Sequence, residues 1–171
     1  MPNIFLRIGL IRKCAFFIGL VSCFLTGDPL LAQPGKDISP KERCPVCGMF
    51  VAKYPAWITQ ARLTNGTVKF FDGVKDLLAF SFAPASFGAP GQAAKEIWVK
   101  DYYTLDWLDG RSAWYVIGSD VYGPMGHEFI PFASSAAAEN FRKDHKGTRV
   151  VRFAEITEPL VQSLRHGQKM R

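Results

Sequence analysis

The chain has 171 residues, a formal net charge of +6 at pH 7 and 48% hydrophobic residues. Its lysines and arginines are scattered instead of clustered, which argues against a nucleic-acid surface. Removal of a 32-residue export signal would leave 139 residues. That length suits one domain, which can bury roughly two-thirds of its unfolded surface and needs neither a disulfide nor a metal ion to hold its core.

Residues 1–32 have the pattern of a bacterial export signal. A basic start is followed by an apolar segment, 14–25, that is too short for a permanent membrane helix. Ordinary cleavage would follow Ala32. Alternatively, Leu20-Val21-Ser22-Cys23 resembles a lipobox, in which case the signal is 1–22 and Cys23 carries a lipid anchor. Both routes predict a periplasmic protein, and the second predicts one that is attached to the membrane.

The remaining chain divides into three segments. The polar residues 33–43 are predicted to form a flexible leader, because they contain proline and glycine and show no apolar period. The domain is predicted to span residues 44–157. A C-terminal tail, 158–171, follows it.

The first half of the domain contains two strand-like runs joined by a turn. These runs, 57–63 and 67–71, flank Asn65-Gly66, which is a strong hairpin signal. Asp72 or Gly73 is predicted to cap a helix, because the apolar residues that follow have helical spacing. These apolar residues are Val74, Leu77, Leu78 and Phe80. A loop, 83–94, and a strand, 96–103, complete this half.

The second half repeats that order. Strands are predicted at 113–118, 128–132 and 149–153, with a helix from Ser134 or Ser135 to about His145 before the last strand. In each half a strand ends on phenylalanine, Phe71 or Phe132, and turns directly into the helix. We therefore predict an α+β fold of two related strand-strand-helix-strand units with largely antiparallel sheet.

The run Cys44-Pro45-Val46-Cys47-Gly48-Met49 places two thiols and a thioether within six residues. Soft sulfur ligands favour a soft cation, and Cu(I) is the first candidate. Met125 lies in Gly123-Pro124-Met125-Gly126, a short loop that would expose its side chain, so it is either a further ligand or core packing. His127 is predicted to be a solvent-facing loop residue.

Other uses of the cysteine pair remain open. A periplasmic thiol-disulfide oxidoreductase would use Cys44 as nucleophile and Cys47 as resolving thiol. Such motifs usually open a helix after a strand, whereas Pro55 stops any helix early here. The pair could also form a disulfide in an oxidising compartment. A structural zinc site would need further ligands at recognisable spacing, and the domain has no other cysteine.

A set of motifs in order resembles the NosL family of nitrous oxide reductase accessory proteins. The resemblance covers about residues 42–157. The segments that carry it are Cys44–Pro55, Phe71–Asp76, Trp107–Asp109, Tyr115–Asp120, Gly123–Gly126 and Ile130–Phe132. The resemblance implies a periplasmic Cu(I)-binding metallochaperone, commonly a lipoprotein. Such a protein hands copper toward nitrous oxide reductase through a membrane ABC-type complex.

The resemblance also implies a ligand set. Copper binding falls on Cys44, Cys47 and Met49, with Met125 as the contribution of the second half. YHS or TRASH metal modules share the Cys-Gly-Met signature, but they would need a further cysteine where the strand here ends in Phe71-Asp72.

No catalytic machinery is recognisable in the sequence. A nucleophile triad, a general base and a phosphate-binding glycine loop are all missing from the motifs, so we assign no reaction and predict that the protein is not an enzyme. Four aspartates near aromatic strands are predicted to cap helices and turns. They are Asp72, Asp101, Asp106 and Asp109.

Overall fold

An antiparallel four-stranded sheet forms the first half of the domain in a computed structural model, which describes residues 34–35 and 38–167. The elements are β1 (Thr59–Leu63), β2 (Val68–Phe71), helix α1 (Val74–Phe82), β3 (Ala94–Lys100) and β4 (Trp107–Asp109). The strand order is β2-β1-β3-β4. Gly66 lies in the predicted turn with a φ of +85°, a conformation that glycine adopts without steric cost.

A three-stranded antiparallel sheet and two helices form the second half. The elements are β5 (Trp114–Ile117), β6 (Tyr122–Gly123), β7 (Gly126–His127), β8 (Ile130–Phe132), α2 (Ser135–Asp144), β9 (Arg149–Arg152) and α3 (Glu158–Arg165). The sheet has the order β8-β5-β9, and β6 and β7 form a separate small hairpin. As predicted, Ser134 caps α2, because its hydroxyl accepts the Ala137 N–H at 3.2 Å.

The two halves share one plan. In each half the first strand is central and pairs antiparallel with the two others: β1 with β2 and β3, and β5 with β8 and β9. In both halves the helix connects the two strands that flank the central one: α1 joins β2 to β3, and α2 joins β8 to β9. The predicted α+β class and the strand-strand-helix-strand repeat are therefore confirmed.

The predicted strand 96–103 ends early, at Lys100. The carboxylate of Asp101 accepts the backbone N–H groups of Tyr103 and Thr104, at 2.9 and 3.0 Å. Side-chain acceptors of this kind stabilise a turn in place of the next ladder bond. The strand therefore stops where the aspartate begins its turn, as was predicted for this aspartate.

The segment predicted as a C-terminal tail contains α3. Its residues Leu160, Val161 and Leu164 are buried, and the helix packs against α1. Pro159 lies in the first turn, where its fixed φ and missing N–H cost the helix nothing. Two polar residues of the same helix, Gln162 and Arg165, line the cavity described below.

The N-terminal boundary is only partly within the described residues. The Gly35 N–H donates to the Gln60 side chain at 2.7 Å, so part of the predicted leader contacts β1. The predicted export signal, 1–32, and Cys23 lie outside the described residues. Across residues 34–35 and 38–167, no helix is long and apolar enough to cross a membrane.

Candidate metal site

The cysteine motif forms a tight turn that closes on itself. The Cys44 N–H donates to the Met49 carbonyl, and the Gly48 N–H donates to the Cys44 carbonyl, both at 2.9 Å. Gly48 has a φ of +78°, which explains the glycine between the second cysteine and Met49. Met49 is half-buried. The backbone bonds hold both thiols on the same short loop.

Two carboxylates of the α1 region meet the two thiols. The Cys44 thiol donates to Asp76 at 3.4 Å, and the Cys47 thiol donates to Asp72 at 3.1 Å. One ligand atom from each of these four residues lies within 4.8 Å of every other. Asp72 directly precedes Gly73, the N-cap of α1, and Asp76 lies in the first turn, so both carboxylates come from the start of this helix.

Most of the cluster is buried, and Cys47 is its most exposed member. Cys44, Asp72 and Asp76 are buried, and Cys47 is half-buried. Among the described residues, Oδ2 of Asp72 is buried with no hydrogen-bond partner. A buried oxygen of this kind is costly unless a proton donor or a cation faces it. The cluster is therefore chemically incomplete as a purely structural arrangement.

The surroundings of Cys47 favour its protonated thiol in the absence of a metal. The hydrogen bond to Cys44, followed by burial and the neighbouring carboxylates, raises the pKa of Cys47. Arg165 of α3 places Nε 3.9 Å from Asp76, which partly balances the negative charge. An ion that binds here must displace thiol protons.

The sequence predicted a capping role for Asp72 and no role for Asp76. Of the two predicted caps of α1, Gly73 is the N-cap, and the Asp72 carboxylate accepts the Cys47 thiol instead of capping the helix. Asp76 was not predicted at all, and the available signal was its spacing of four from Asp72. The turn role was correct for Asp109, which accepts the Arg111 N–H at 3.0 Å.

Met125 borders the same cavity as Cys47. It lies in the turn between β6 and β7, and 49% of its surface is exposed, as predicted for this loop. The cavity has a volume of about 370 Å³. Its lining is completed by Val46, Lys75, Asp76, Gln162, Arg165 and His166. The structure thus brings Met125 and Cys47 to one cavity.

The prediction that His127 faces solvent is wrong. His127 is 9% exposed, and its ring centroid lies 4.9 Å from that of Tyr122. The Lys75 ammonium donates to the His127 carbonyl at 2.8 Å and draws this part of the hairpin against α1. A sequence that shows only a glycine-rich loop gives no indication of that contact.

A buried carboxylate lies beneath the β6–β7 hairpin. Oε1 of Glu128 accepts the backbone N–H groups of Lys75 and Phe129. Burial raises the pKa of Glu128 from its ordinary value of 4.5 to about 8, and the nearby Lys75 charge only partly opposes this effect. The folded protein therefore binds this proton more tightly than the unfolded chain does.

This shift predicts a pH-dependent stability. The contribution of Glu128 is fully present below about pH 4.5 and is lost as the pH rises through about 8. We expect Glu128→Gln to flatten this dependence, because a neutral amide oxygen can accept the same two N–H groups. Urea unfolding at several pH values measures it, with the exposed Glu158→Gln as control. An equal pH slope in wild type and Glu128→Gln would contradict the prediction.

Comparison with known proteins agrees with this architecture. The family model for NosL matches residues 35–161. The chain belongs to the NosL family. It is 31% identical over 137 residues to a copper-binding lipoprotein NosL from Stutzerimonas stutzeri, covering 74% of this chain and 69% of that protein.

A solved NosL structure is also similar. The crystal structure of the copper chaperone NosL from Shewanella denitrificans superimposes with a TM-score of 0.64 at 27% identity, covering 74% of this chain and 97% of that one. The NosL resemblance inferred from the motifs is therefore confirmed, together with the mixed α+β fold. The family model extends beyond the predicted domain at both ends and includes the start of α3.

Proposed function

We propose that this protein is a carrier of Cu(I). The observation that carries the proposal is that Cys47 belongs both to the cluster that contains Cys44 and to the cavity that Met125 lines. Thiolate and thioether sulfurs are the ligands that Cu(I) prefers. The names of the related proteins, a copper-binding lipoprotein and a copper chaperone, support copper as the metal.

The ligand set of this proposal is Cys44 and Cys47 with thioethers from Met125 and Met49. The carboxylates of Asp72 and Asp76 orient the thiols before binding, since each accepts a hydrogen bond from one of them. Hydrogen-bonding partners behind metal ligands commonly contribute one to two orders of magnitude in affinity. They also supply negative charge beside the incoming cation.

Release requires no chemistry from this chain. Cys47 and Met125 lie at the open cavity, whereas Cys44 is buried. A partner can therefore add its own ligands to the ion at the cavity before the Cys44 thiolate dissociates from it. Family membership supports delivery toward nitrous oxide reductase, directly or through an ABC-type membrane complex. It also supports a periplasmic location, with a lipid anchor at Cys23 in the lipoprotein form. On this proposal the protein is not an enzyme.

The alternative function, thiol-disulfide exchange, is disfavoured by the local structure. The cysteine motif precedes β1 and is followed by a short 3-10 turn, Val51–Lys53, instead of opening an α-helix. Cys44, which would be the attacking thiol, is only 2% exposed, whereas a redox-active thiol must be accessible to its substrate. Both cysteines are free thiols in the structure.

Metal competition tests the proposed cargo. We expect the reduced protein to bind one Cu(I) per chain and to prefer it to Zn(II), because sulfur ligands predominate. Titration against a chromophoric Cu(I) chelator, with and without Zn(II), measures the stoichiometry and the preference. Stoichiometric zinc retained in excess Cu(I) would contradict the proposal.

Met125→Ala tests the contribution of the second unit. We expect Cu(I) affinity to fall about tenfold or more, while the stability of the metal-free protein hardly changes, because the side chain is 49% exposed. Chelator competition and thermal unfolding give the two quantities. Tyr122→Ala, on the same hairpin and also exposed, is the matched control. Unchanged affinity with a large loss of stability would assign Met125 to packing.

A further inference from the structure

We propose that Lys75 is a positioning residue that holds the Met125 turn beside Cys47. This inference rests on the proposed copper function. The side chain of Lys75 is only 2% exposed, although lysine is rarely buried unless its charge is paired or hydrogen-bonded. Its ammonium donates to the carbonyl of Met125 at 2.7 Å and to that of His127 at 2.8 Å.

The backbone of Lys75 reaches the same hairpin by a second route. Its N–H, which at a helix start has no partner within the helix, donates to the Glu128 carboxylate. A Cβ at Gly73 would clash with Glu128, and a Cβ at Gly123 would come within 3.1 Å of its Cγ. The absence of a side chain at these two glycines therefore leaves room for the Glu128 carboxylate. Side chain and backbone of one residue thus fasten the segment 125–128 to α1.

The β6–β7 hairpin needs such an attachment. Each of its strands has two residues, and such short two-stranded hairpins are marginal by themselves. Met125 at its turn is exposed, so its side chain is not held by the core. The carbonyl of Met125 itself is one of the two groups that Lys75 binds, which fixes the residue that bears the thioether.

The same helix start also fixes the thiols. Asp72 and Asp76 lie on either side of Lys75 in sequence and accept hydrogen bonds from Cys47 and Cys44. The cysteine loop, Cys44–Met49, and the β6–β7 hairpin are distant in sequence, and both contact α1. Lys75 therefore sets the separation between the cysteine ligands and the thioether ligand.

A double-mutant cycle tests this role. Lys75→Leu has no donor and adds no sulfur to the cavity that Lys75 lines, and we expect it to weaken Cu(I) binding about tenfold in the native background. In a Met125→Ala background it should have no further effect, because the ligand that Lys75 positions is already gone. Copper X-ray absorption should show the loss of one sulfur ligand in Lys75→Leu. Lys95→Leu, at an exposed position on β3, is the matched control.

The outcomes separate the two proposals. If Lys75→Leu fails to fold, Lys75→Ala, which is smaller and also lacks a donor, replaces it in the same cycle. Undiminished affinity in the lysine variants while Met125→Ala binds weakly would overturn the positioning role, and so would an equal loss in both backgrounds. Wild-type protein that fails to bind Cu(I) would instead overturn the proposed function. Affinity unchanged by Met125→Ala would remove Met125 from the ligand set, and with it the role of Lys75.

Discussion

Replacing Cys47 by serine is expected to lower the affinity for Cu(I) by at least about a hundredfold, more than loss of an outer hydrogen-bonding partner would. A hydroxyl is a poor ligand for a soft cation, and Cys47 is the thiol that lies at the open cavity. The half-buried position of this residue predicts little change in the stability of the metal-free protein. Chelator competition and thermal unfolding measure the two effects.

Cys44→Ser provides the comparison for this variant. It should lose copper to a similar degree, but it should also destabilise the fold, because Cys44 is 2% exposed and belongs to the main core. The two serine variants therefore separate metal binding from packing. Retention of Cu(I) affinity in Cys47→Ser would mean that the ion binds elsewhere and would refute the proposed site.

Phe71→Ala is expected to lower the free energy of unfolding by about 3–5 kcal/mol, the range for a large aromatic side chain removed from a core. Phe71 is fully buried, and its ring centroid lies 5.3 Å from that of Phe80. It also directly precedes Asp72. The resulting cavity should therefore loosen the carboxylate that accepts the Cys47 hydrogen bond, and copper affinity should fall as well.

Urea unfolding measures the loss, with Phe82→Ala as the matched control. Phe82 lies at the end of α1 and is 42% exposed, so its removal should cost less than about 1 kcal/mol. Similar losses for the two variants would show that the core does not depend on Phe71. A large loss of stability without any change in copper affinity would separate the core from the site.

Locally determined features of the fold could be predicted from the sequence. The Asn65-Gly66 turn, the Ser134 cap and the helical spacing after Gly73 each depend on a few neighbouring residues. They determined the order of elements in both units. The β6–β7 hairpin has strands too short to show any period, and α3 lies in the segment 158–171, for which the sequence predicts only a tail.

The site was only half predictable for a similar reason. The cysteine pair and the exposed Met125 follow from short motifs. Asp72 and Asp76 join the site only because the cysteine loop, Cys44–Met49, folds against the start of α1. No local sequence pattern predicts that contact. Lys75 and Glu128 also act through tertiary contacts alone, and charged residues in a helix are ordinarily expected to face solvent.

The junction between strand and helix occurs twice in this protein, and its chemistry differs between the copies. After Phe71 the chain continues with Asp72, whose buried carboxylate faces a thiol; after Phe132 it continues with Ala133 and Ser134, and the serine only caps a helix. The first junction thus contributes to the candidate metal site, and the second only starts a helix. An acid installed at Ala133 would not create a second site, because the cysteine loop precedes the first copy alone.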